Sequence, residues 1–342
     1  MTPQQQEKLI RLIQDNTSST HHKIKTLMRE LEYLKELPEL PEPISIFDCI
    51  LQEETKRTPE FRKENCVEFP DDAVLAITGP FFKKEVIVVA GRPAMGKTQL
   101  LVDWANLIAS NQRVLFHSLD CTTAEITNRF LANKTGIPLG HIQENKLNEQ
   151  ELQLLEESKT TFKDKGLFLV DFSVQSLYQL KAYYKEIVEK EGIDVLFLDY
   201  LQLYNGNTIR NREQEIAGFM RNMKEIANEL NICIFIASQL SRSVESRGGE
   251  RRPILSDLRE SGAIEEFAHK VFFIYRPEYY GLTMDEHGES NINRVEIIIA
   301  KNNLYGMNTL YLERDSNFTQ FYSKPTKPTD LTWDYKIEGM DD

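Results

Sequence analysis

Two kinds of hydrophobic spacing divide the chain. Between residues 22 and 37 the apolar positions Ile24, Leu27, Met28, Leu31 and Leu34 recur three and four apart, with Lys, Arg and Glu between them. That spacing predicts one amphipathic helix. Ahead of it Leu9, Ile10, Leu12 and Ile13 predict a shorter helix that breaks over residues 16–20. This helical arm, residues 1–37, either packs on its own domain or binds a partner. Pro38, Pro41 and Pro43 then impose an extended stretch, and ISIFDCILQEETKR can form a further amphipathic helix. Residues 38–66 therefore read as a Pro-rich linker with a linker helix.

From about residue 67 short β-branched runs alternate with helical segments, which predicts parallel strands joined by right-handed helical crossovers. The strand candidates are EVIVVA (85–90), VLFHSL (114–119), GLFLVD (166–171), DVLFLD (194–199), ICIFIAS (232–238) and KVFFIY (270–275). Such near-continuous apolar runs belong to strands covered on both faces. VEIIIAKNN (295–303) and NTLYLERD (308–315) read as two more strands around a turn at Tyr305-Gly306. The expected fold is α/β, a mostly parallel central sheet flanked by helices over residues 67–323, plus the short helical arm. Residues 324–342, rich in Pro, Thr and Asp, read as a loose acidic tail.

Composition narrows the function classes. The 342 residues carry a net charge of -12, so the chain as a whole repels a polyanion, and any nucleic-acid contact must come from local basic loops. No apolar run approaches the roughly 18 residues that cross a bilayer, and the first 14 residues lack the pattern of a signal peptide. No membrane contact and a cytoplasmic location are expected. Cys49, Cys66, Cys121 and Cys233 form no CxxC pair, which argues against a zinc site and a disulfide framework.

The segment EVIVVA-GRPAMGKT-QLLVDWANLIA is a strand, then G-x-x-x-x-G-K-T, then an amphipathic helix, the context that a phosphate-binding P-loop requires. The candidate nucleotide-binding residues are Gly91, Arg92, Pro93, Ala94, Met95, Gly96, Lys97 and Thr98. Gly91 and Gly96 let the backbone curl until its N–H groups and the helix N-terminus face the phosphates. Lys97 then meets the β- and γ-phosphates and Thr98 offers its hydroxyl to a metal, so ATP and Mg²⁺ are the expected ligands.

Such a loop needs an acidic partner at the end of a neighbouring strand to hold magnesium through water. Asp199, ending VLFLD, fits that place at the C-terminal edge of the sheet, where ligands bind in open α/β folds. Asp171, after LFLV, is its rival. Asp120, just beyond VLFHSL, either polarises an attacking water or N-caps a helix starting near Thr122. Gln239 senses the γ-phosphate or orients water, unless Ser238-Gln239 is an ordinary strand end.

Basic residues concentrate in NTIRNREQE (207–215) and SRSVESRGGERRPILSDLRESG (241–262), each beginning just after an expected edge strand. In RecA-like motors such loops line the DNA path, which would aim Arg242, Arg247, Arg251, Arg252 and Arg259 at backbone phosphates. Outside that context they read as solvated loops. Few aromatics are interleaved, so base stacking is not the expected mode.

Taken together, GRPAMGKT, VLFHSLDCTTAEITNRFLA, DVLFLDYLQL, ASQLSRSVESR, RRPILSDLRESGAIEEFAHKVFFIYRPEYY and EIIIAKNN make the chain resemble the C-terminal motor domain of DnaB-type replicative helicases. These motifs stand in that family's order over about residues 67–322. The resemblance implies a RecA-like P-loop NTPase fold and an ATP-dependent 5′ to 3′ DNA helicase. Such enzymes act in DNA replication as ring-shaped hexamers, bind ATP between subunits, translocate on single-stranded DNA and meet a loader or primase. It also implies that Lys97 and Thr98 bind nucleotide and Mg²⁺, that Asp199 is the Walker B acid, and that Gln239 couples nucleotide state to the DNA loops. Arg259, Glu260 and Gly262 fall where the family touches the DNA backbone.

Three departures qualify this. Asp120 stands where the family has a catalytic glutamate, one methylene longer, and moving a general base by about 1 Å can cost on the order of 100-fold in rate. Lys301 is kept after EIIIA, but Asn303 replaces an arginine finger, a group contributing roughly 10³ to 10⁵ in rate in related NTPases. Lys301 or Arg294 is then the candidate substitute. Residues 1–37 also leave no room for the globular N-terminal domain of the full-length helicases, an architecture that fits a phage, plasmid or other mobile element. Two readings follow: a helicase, or an ATP-binding DNA-binding or scaffold protein of the same fold with weak or no hydrolysis. A recombinase or clock-type ATPase is a third, disfavoured by SDLRESG.

Overall fold

The structure is a computed structural model that describes residues 43–323 apart from 56–57, 59–60, 62–63, 164, 174–175, 204–211 and 259–260. The helical arm, the start of the linker, the tail, most of the basic stretch 207–215, and both Arg259 and Glu260 lie outside the described residues. The chain divides after Thr58 into two units. In the first, helix α1 (Ile46–Thr55) has the amphipathic pattern expected of the linker. Ser45 starts it: its hydroxyl accepts from the Asp48 N–H at 3.1 Å and donates to the Asp48 carboxylate at 2.6 Å.

The second unit runs β1 (Cys66–Val67), α2 (Asp72–Thr78), β2 (Phe81–Phe82), β3 (Val86–Gly91), α3 (Lys97–Ile108), β4 (Val114–Ser118), α4 (Thr123–Thr135), α5 (Leu139–Gln143) and α6 (Glu149–Lys163). It continues with β5 (Leu167–Val170), α7 (Leu177–Glu191), β6 (Val195–Asp199), α8 (Arg212–Leu230), β7 (Cys233–Gln239), α9 (Ser243–Ser246) and α10 (Ser261–Phe267). Among the described residues the last strands are β8 (Lys270–Tyr275), β9 (Arg294–Asn302), β10 (Thr309–Arg314) and β11 (Phe321–Ser323). Among the described residues nine strands form one sheet in the order β11-β10-β9-β8-β3-β7-β6-β4-β5.

From β8 to β5 neighbouring strands are parallel, whereas β9, β10 and β11 extend the sheet as antiparallel neighbours. The parallel part needs helical crossovers, which is why its strands are separated by α3, α4 to α6, α7 and α8. β3 occupies the middle, and its alternate residues enter different cores. Ile87 and Val89 pack with α3 and α4, while Val86, Val88 and Ala90 pack with α7 and α8. One expectation is corrected here: β6 and β7, which precede the two basic stretches, are interior strands. β4 and β5 lie beyond β6, so both loops leave from the middle of the sheet.

The α3-side core is strongly aromatic. Phe81 is fully buried and its ring contacts those of Phe69, Trp104, Phe235 and Phe272 at centroid distances of 5.2–6.3 Å. Phe81→Ala is expected to destabilise the domain by about 3–5 kcal/mol, because the rings around it cannot collapse into the space left. Urea unfolding followed by tryptophan fluorescence, with Trp104 in contact, measures this; a loss below about 1 kcal/mol would contradict the packing.

Candidate functional site

The loops leaving the C-terminal ends of β3, β4, β6 and β7 wall a cavity of about 570 Å³. Its lining brings together Lys97, Thr98, Asp120, Asp199 and Gln239, which the sequence scatters over 143 positions, from 97 to 239. β3 fixes the P-loop, since Gly91 pairs with Gln239 at the end of β7. Leu119 N–H donates to the Asp199 carbonyl at 2.6 Å, which sets Asp120 beside the end of β6.

Within the loop, Ala94 and Gly96 take positive φ of 62° and 103°. Gly96 is required twice over: a Cβ there would lie 2.8 Å from the Phe321 ring and 3.2 Å from that of Phe318. The Lys97 ammonium donates to the carbonyls of Gly91 at 3.0 Å and Arg92 at 3.2 Å. Burial lowers its pKa to about 8 against the opposing pull of Asp199, with Arg92 lowering it further. Met95 is buried, and Pro93 and Ala94 border the cavity.

The Thr98 hydroxyl donates to Asp199 Oδ2 at 2.6 Å. Asp199 is 1% exposed, and its Oδ1 is buried without a hydrogen-bond partner. Burial pushes this carboxyl up, while the Thr98 hydrogen bond and the Lys97 charge oppose the shift. Leaving a buried carboxylate oxygen unmatched costs about 1–3 kcal/mol, which a cation would remove. Thr98 and Asp199 therefore fit Mg²⁺ by donor type and by the open oxygen. The rival Asp171 is engaged elsewhere, accepting from the Thr123 N–H at 2.7 Å at the start of α4. Thr122, not Asp120, caps that helix, in a reciprocal box with Glu125. Asp120 is thereby left exposed at the cavity rim.

Four lining residues, Gln99, Arg129, Tyr200 and Phe318, have no counterpart among the sequence candidates. Arg129 reaches the cavity from α4, and its Nε is buried without a partner. The only signal was its position between Ile126 and Phe130, two buried residues of that helix. Phe318 comes from the turn between β10 and β11, with φ 59°. The guanidinium groups of Arg276 and Arg314 lie 4.4 and 4.8 Å from its ring centre. Asp315 braces the turn by accepting from the N–H groups of Thr319 and Gln320 at 2.6 and 2.8 Å.

The sequence profile described as the DnaB-like helicase C terminal domain matches residues 73–323. The chain belongs to this family. Over 252 residues it is 33% identical to a probable replicative DNA helicase of Trieres chinensis, covering 72% of this chain and 55% of that protein. A probable plasmid replicative DNA helicase of Chlamydia trachomatis is 38% identical over 213 residues, covering 62% and 46%. The chain thus spans about half the length of these curated relatives. Among solved structures, one described as an ATPase domain superposes with a TM-score of 0.72 at 26% identity, over 83% of this chain and all of that one. A DnaB-like replicative helicase described with its interactions with primase gives 0.71 at 25% identity, over 93% and 76%. The fold is RecA-like.

Other candidate residues of this DnaB-like domain lie outside the cavity. Lys301 pairs with Val271 near the start of β8, at the sheet edge opposite the P-loop. Its ammonium donates to the carbonyls of Glu265 and Ala268 at 2.6 and 2.7 Å, closing the end of α10. Asn303 is exposed on the β9–β10 turn. Arg294 bonds Asp285 at 3.1 Å and lies over the Tyr311 ring. Arg242 and Gly262 are exposed. The guanidinium of Arg252 is engaged with Glu296, itself 1% exposed, and with Glu250. Among the described residues no helix is long and apolar enough to cross a membrane.

Proposed function

We propose that this chain is the motor domain of an ATP-dependent 5′ to 3′ DNA helicase, translocating on single-stranded DNA as a ring-shaped homo-oligomer, a hexamer, in DNA replication. The observation that carries the reading is the Thr98–Asp199 hydrogen bond, with the open Asp199 Oδ1 beside Lys97 in a DnaB-like domain. Thr98 and Asp199 would hold Mg²⁺, which when bound would supply positive charge to the phosphoryl oxygens. Lys97 exchanges its two carbonyl partners for phosphate oxygens. Asp120 takes a proton from the attacking water, Arg129 adds positive charge from α4, and Gln239 senses the γ-phosphate. Lys301 or Arg294 of a neighbouring copy stands in for the missing arginine at 303. Arg242, Arg259, Glu260 and Gly262 meet the DNA backbone. Arg252 joins them on leaving Glu296. A loader or primase is a further partner of this reading.

Strand displacement on a forked substrate tests it. Unwinding that requires ATP and a 5′ single-stranded arm is expected, and assembled, ATP-binding protein that unwinds nothing would refute it. A second reading, a nucleotide-switched DNA-binding or scaffold protein with little turnover, is favoured by Asn303 and by the prior engagement of the Lys301 ammonium. Fast DNA-stimulated hydrolysis eliminates it.

Lys97 also predicts a pH dependence. Phosphate binds its ammonium form and raises its pKa, so affinity is full below the free-state value and declines above it. Triphosphate affinity is expected to fall as pH rises through about 8. Titrations with a fluorescent ATP analogue from about pH 7 to 9 should show this trend, and Lys97→Arg should flatten it.

A further inference from the structure

Arg92 belongs to the P-loop by sequence, yet its side chain turns away from the cavity. The guanidinium is buried at 6% exposure. Its Nη1 donates to the Leu240 carbonyl at 2.8 Å, and its Nε and Nη2 both donate to Glu245 Oε1, at 2.9 and 2.7 Å. Leu240 is held a second time, its N–H donating to the Gly91 carbonyl at 3.2 Å. The P-loop thus grips the chain just beyond Gln239 at three points. Charge-assisted hydrogen bonds of this kind are about twice as strong as neutral ones.

What lies beyond the grip is tied together as a body. Ser241 N–H donates to the Asp257 carbonyl at 2.8 Å, Ile254 N–H to the Asp257 carboxylate at 2.8 Å, and Arg247 Nη1 to the Arg252 carbonyl at 3.0 Å. Arg247 also forms an ion pair with Asp257. The basic segment 241–258 therefore moves with its anchor rather than residue by residue. The other end of Arg92 touches the cavity chemistry, because its carbonyl is one of the two that hold the Lys97 ammonium. An anion that draws Lys97 away removes one of the two donors to the Arg92 carbonyl, leaving the Met95 N–H at 3.3 Å, and so loosens the Arg92 peptide while the buried guanidinium stays clamped to Glu245. Displacement of the peptide then passes to the segment.

We propose that the Arg92–Glu245 pair is the connection by which the state of the P-loop reaches the basic segment 241–258, with Glu245 as its positioning residue. The inference rests on the nucleotide-binding reading above and deepens it: the segment's affinity for a polyanion depends on what occupies the P-loop. Glu245 is exposed on α9 and lies outside the cavity lining, so Glu245→Gln keeps the side-chain shape and removes only the charge of the link.

The test combines hydrogen–deuterium exchange of residues 241–258 with binding of a fluorescein-labelled oligothymidylate, each with and without Mg²⁺ and ATPγS. In the wild type, exchange of the segment is expected to change on adding ATPγS, and oligonucleotide affinity to shift on the order of 10-fold. In Glu245→Gln both responses should collapse, to within about 2-fold for the affinity, while ATPγS still binds; Glu245→Asp should restore part of them. Wild-type responses retained by Glu245→Gln would overturn the connection, as would a wild-type segment indifferent to bound ATPγS. A segment that responds in the wild type and not in Glu245→Gln, with no oligonucleotide bound in any state, would uphold the connection and remove DNA as the ligand. Failure of ATPγS to bind the wild type would remove the nucleotide reading itself and the connection with it.

Discussion

Lys97→Ala is expected to lower ATP hydrolysis by about 10²- to 10³-fold and to abolish strand displacement with it. Charge at close quarters sets the size of the effect. Asp199 and Asp120 both face the cavity, and a triphosphate brings further negative charge to the same place. The Lys97 ammonium is the cation that the P-loop itself brings to the cavity, within 3.0–3.2 Å of two loop carbonyls, and it can exchange those partners for phosphate oxygens. An alanine leaves those oxygens facing the carbonyls uncompensated. Arg129 on α4 and any bound metal remain, which is why some turnover should survive. Since burial already disfavours the ammonium, its removal should leave thermal stability intact, and a melting curve run alongside separates lost chemistry from lost folding. Steady-state phosphate release at saturating ATP gives the rate. A variant as fast as the wild type would mean that this cavity does not hold the reacting phosphates.

Asp120→Asn should produce the other large effect, a fall of about 10²- to 10⁴-fold in hydrolysis with nucleotide affinity little changed. The carboxylate is positioned for the task by its neighbours. Thr122 and Glu125 satisfy the start of α4, Asp171 supplies a further cap, and the Leu119 bond to the Asp199 carbonyl fixes the backbone. Asp120 is then free of structural duty at the rim, beside Asp199 and Arg129. Its amide analogue has the same shape but cannot accept the water's proton. Asp120→Glu should act in the opposite direction, because the added methylene restores the reach of the glutamate the family carries. Single-turnover hydrolysis with prebound ATP isolates the step. If all three chains hydrolyse equally slowly, the low-turnover reading is the right one.

The parts of this site that follow from local pattern are legible in the sequence, and those that depend on distant chain are not. KVFFIY marks β8 residue for residue, and DVLFLD and ICIFIAS mark β6 and β7 to within a residue, because fully buried strands are written as apolar runs. The P-loop is legible because its chemistry is contiguous. The choice of Asp199 over Asp171 is weighted but not decided by strand ends; it takes the Thr98 hydrogen bond to separate them. Arg129 and Phe318 could not be picked out, since each reaches the cavity through packing between elements far apart in sequence. Arg92 shows what a motif leaves unrecorded: the P-loop pattern speaks for its backbone, whereas the partners of its side chain, Leu240 and Glu245, lie about 150 residues away. The interior position of β6 and β7 was equally hidden, as strand order is set by crossovers that local pattern does not record.

The packing of Phe318 and Phe321 over Gly96 has a consequence for the order in which the protein is made. Asp103, one helical turn and more beyond the P-loop, accepts a hydrogen bond from the Phe321 N–H, 218 residues downstream, at 2.9 Å. A ribosome that has delivered every recognisable motif through EIIIAKNN has still not delivered the turn that closes over the loop. The nascent chain therefore carries an open phosphate loop until β11 emerges, and a message cut short before the codon for Asp315 yields a product with all its signature residues and an unfinished nucleotide site.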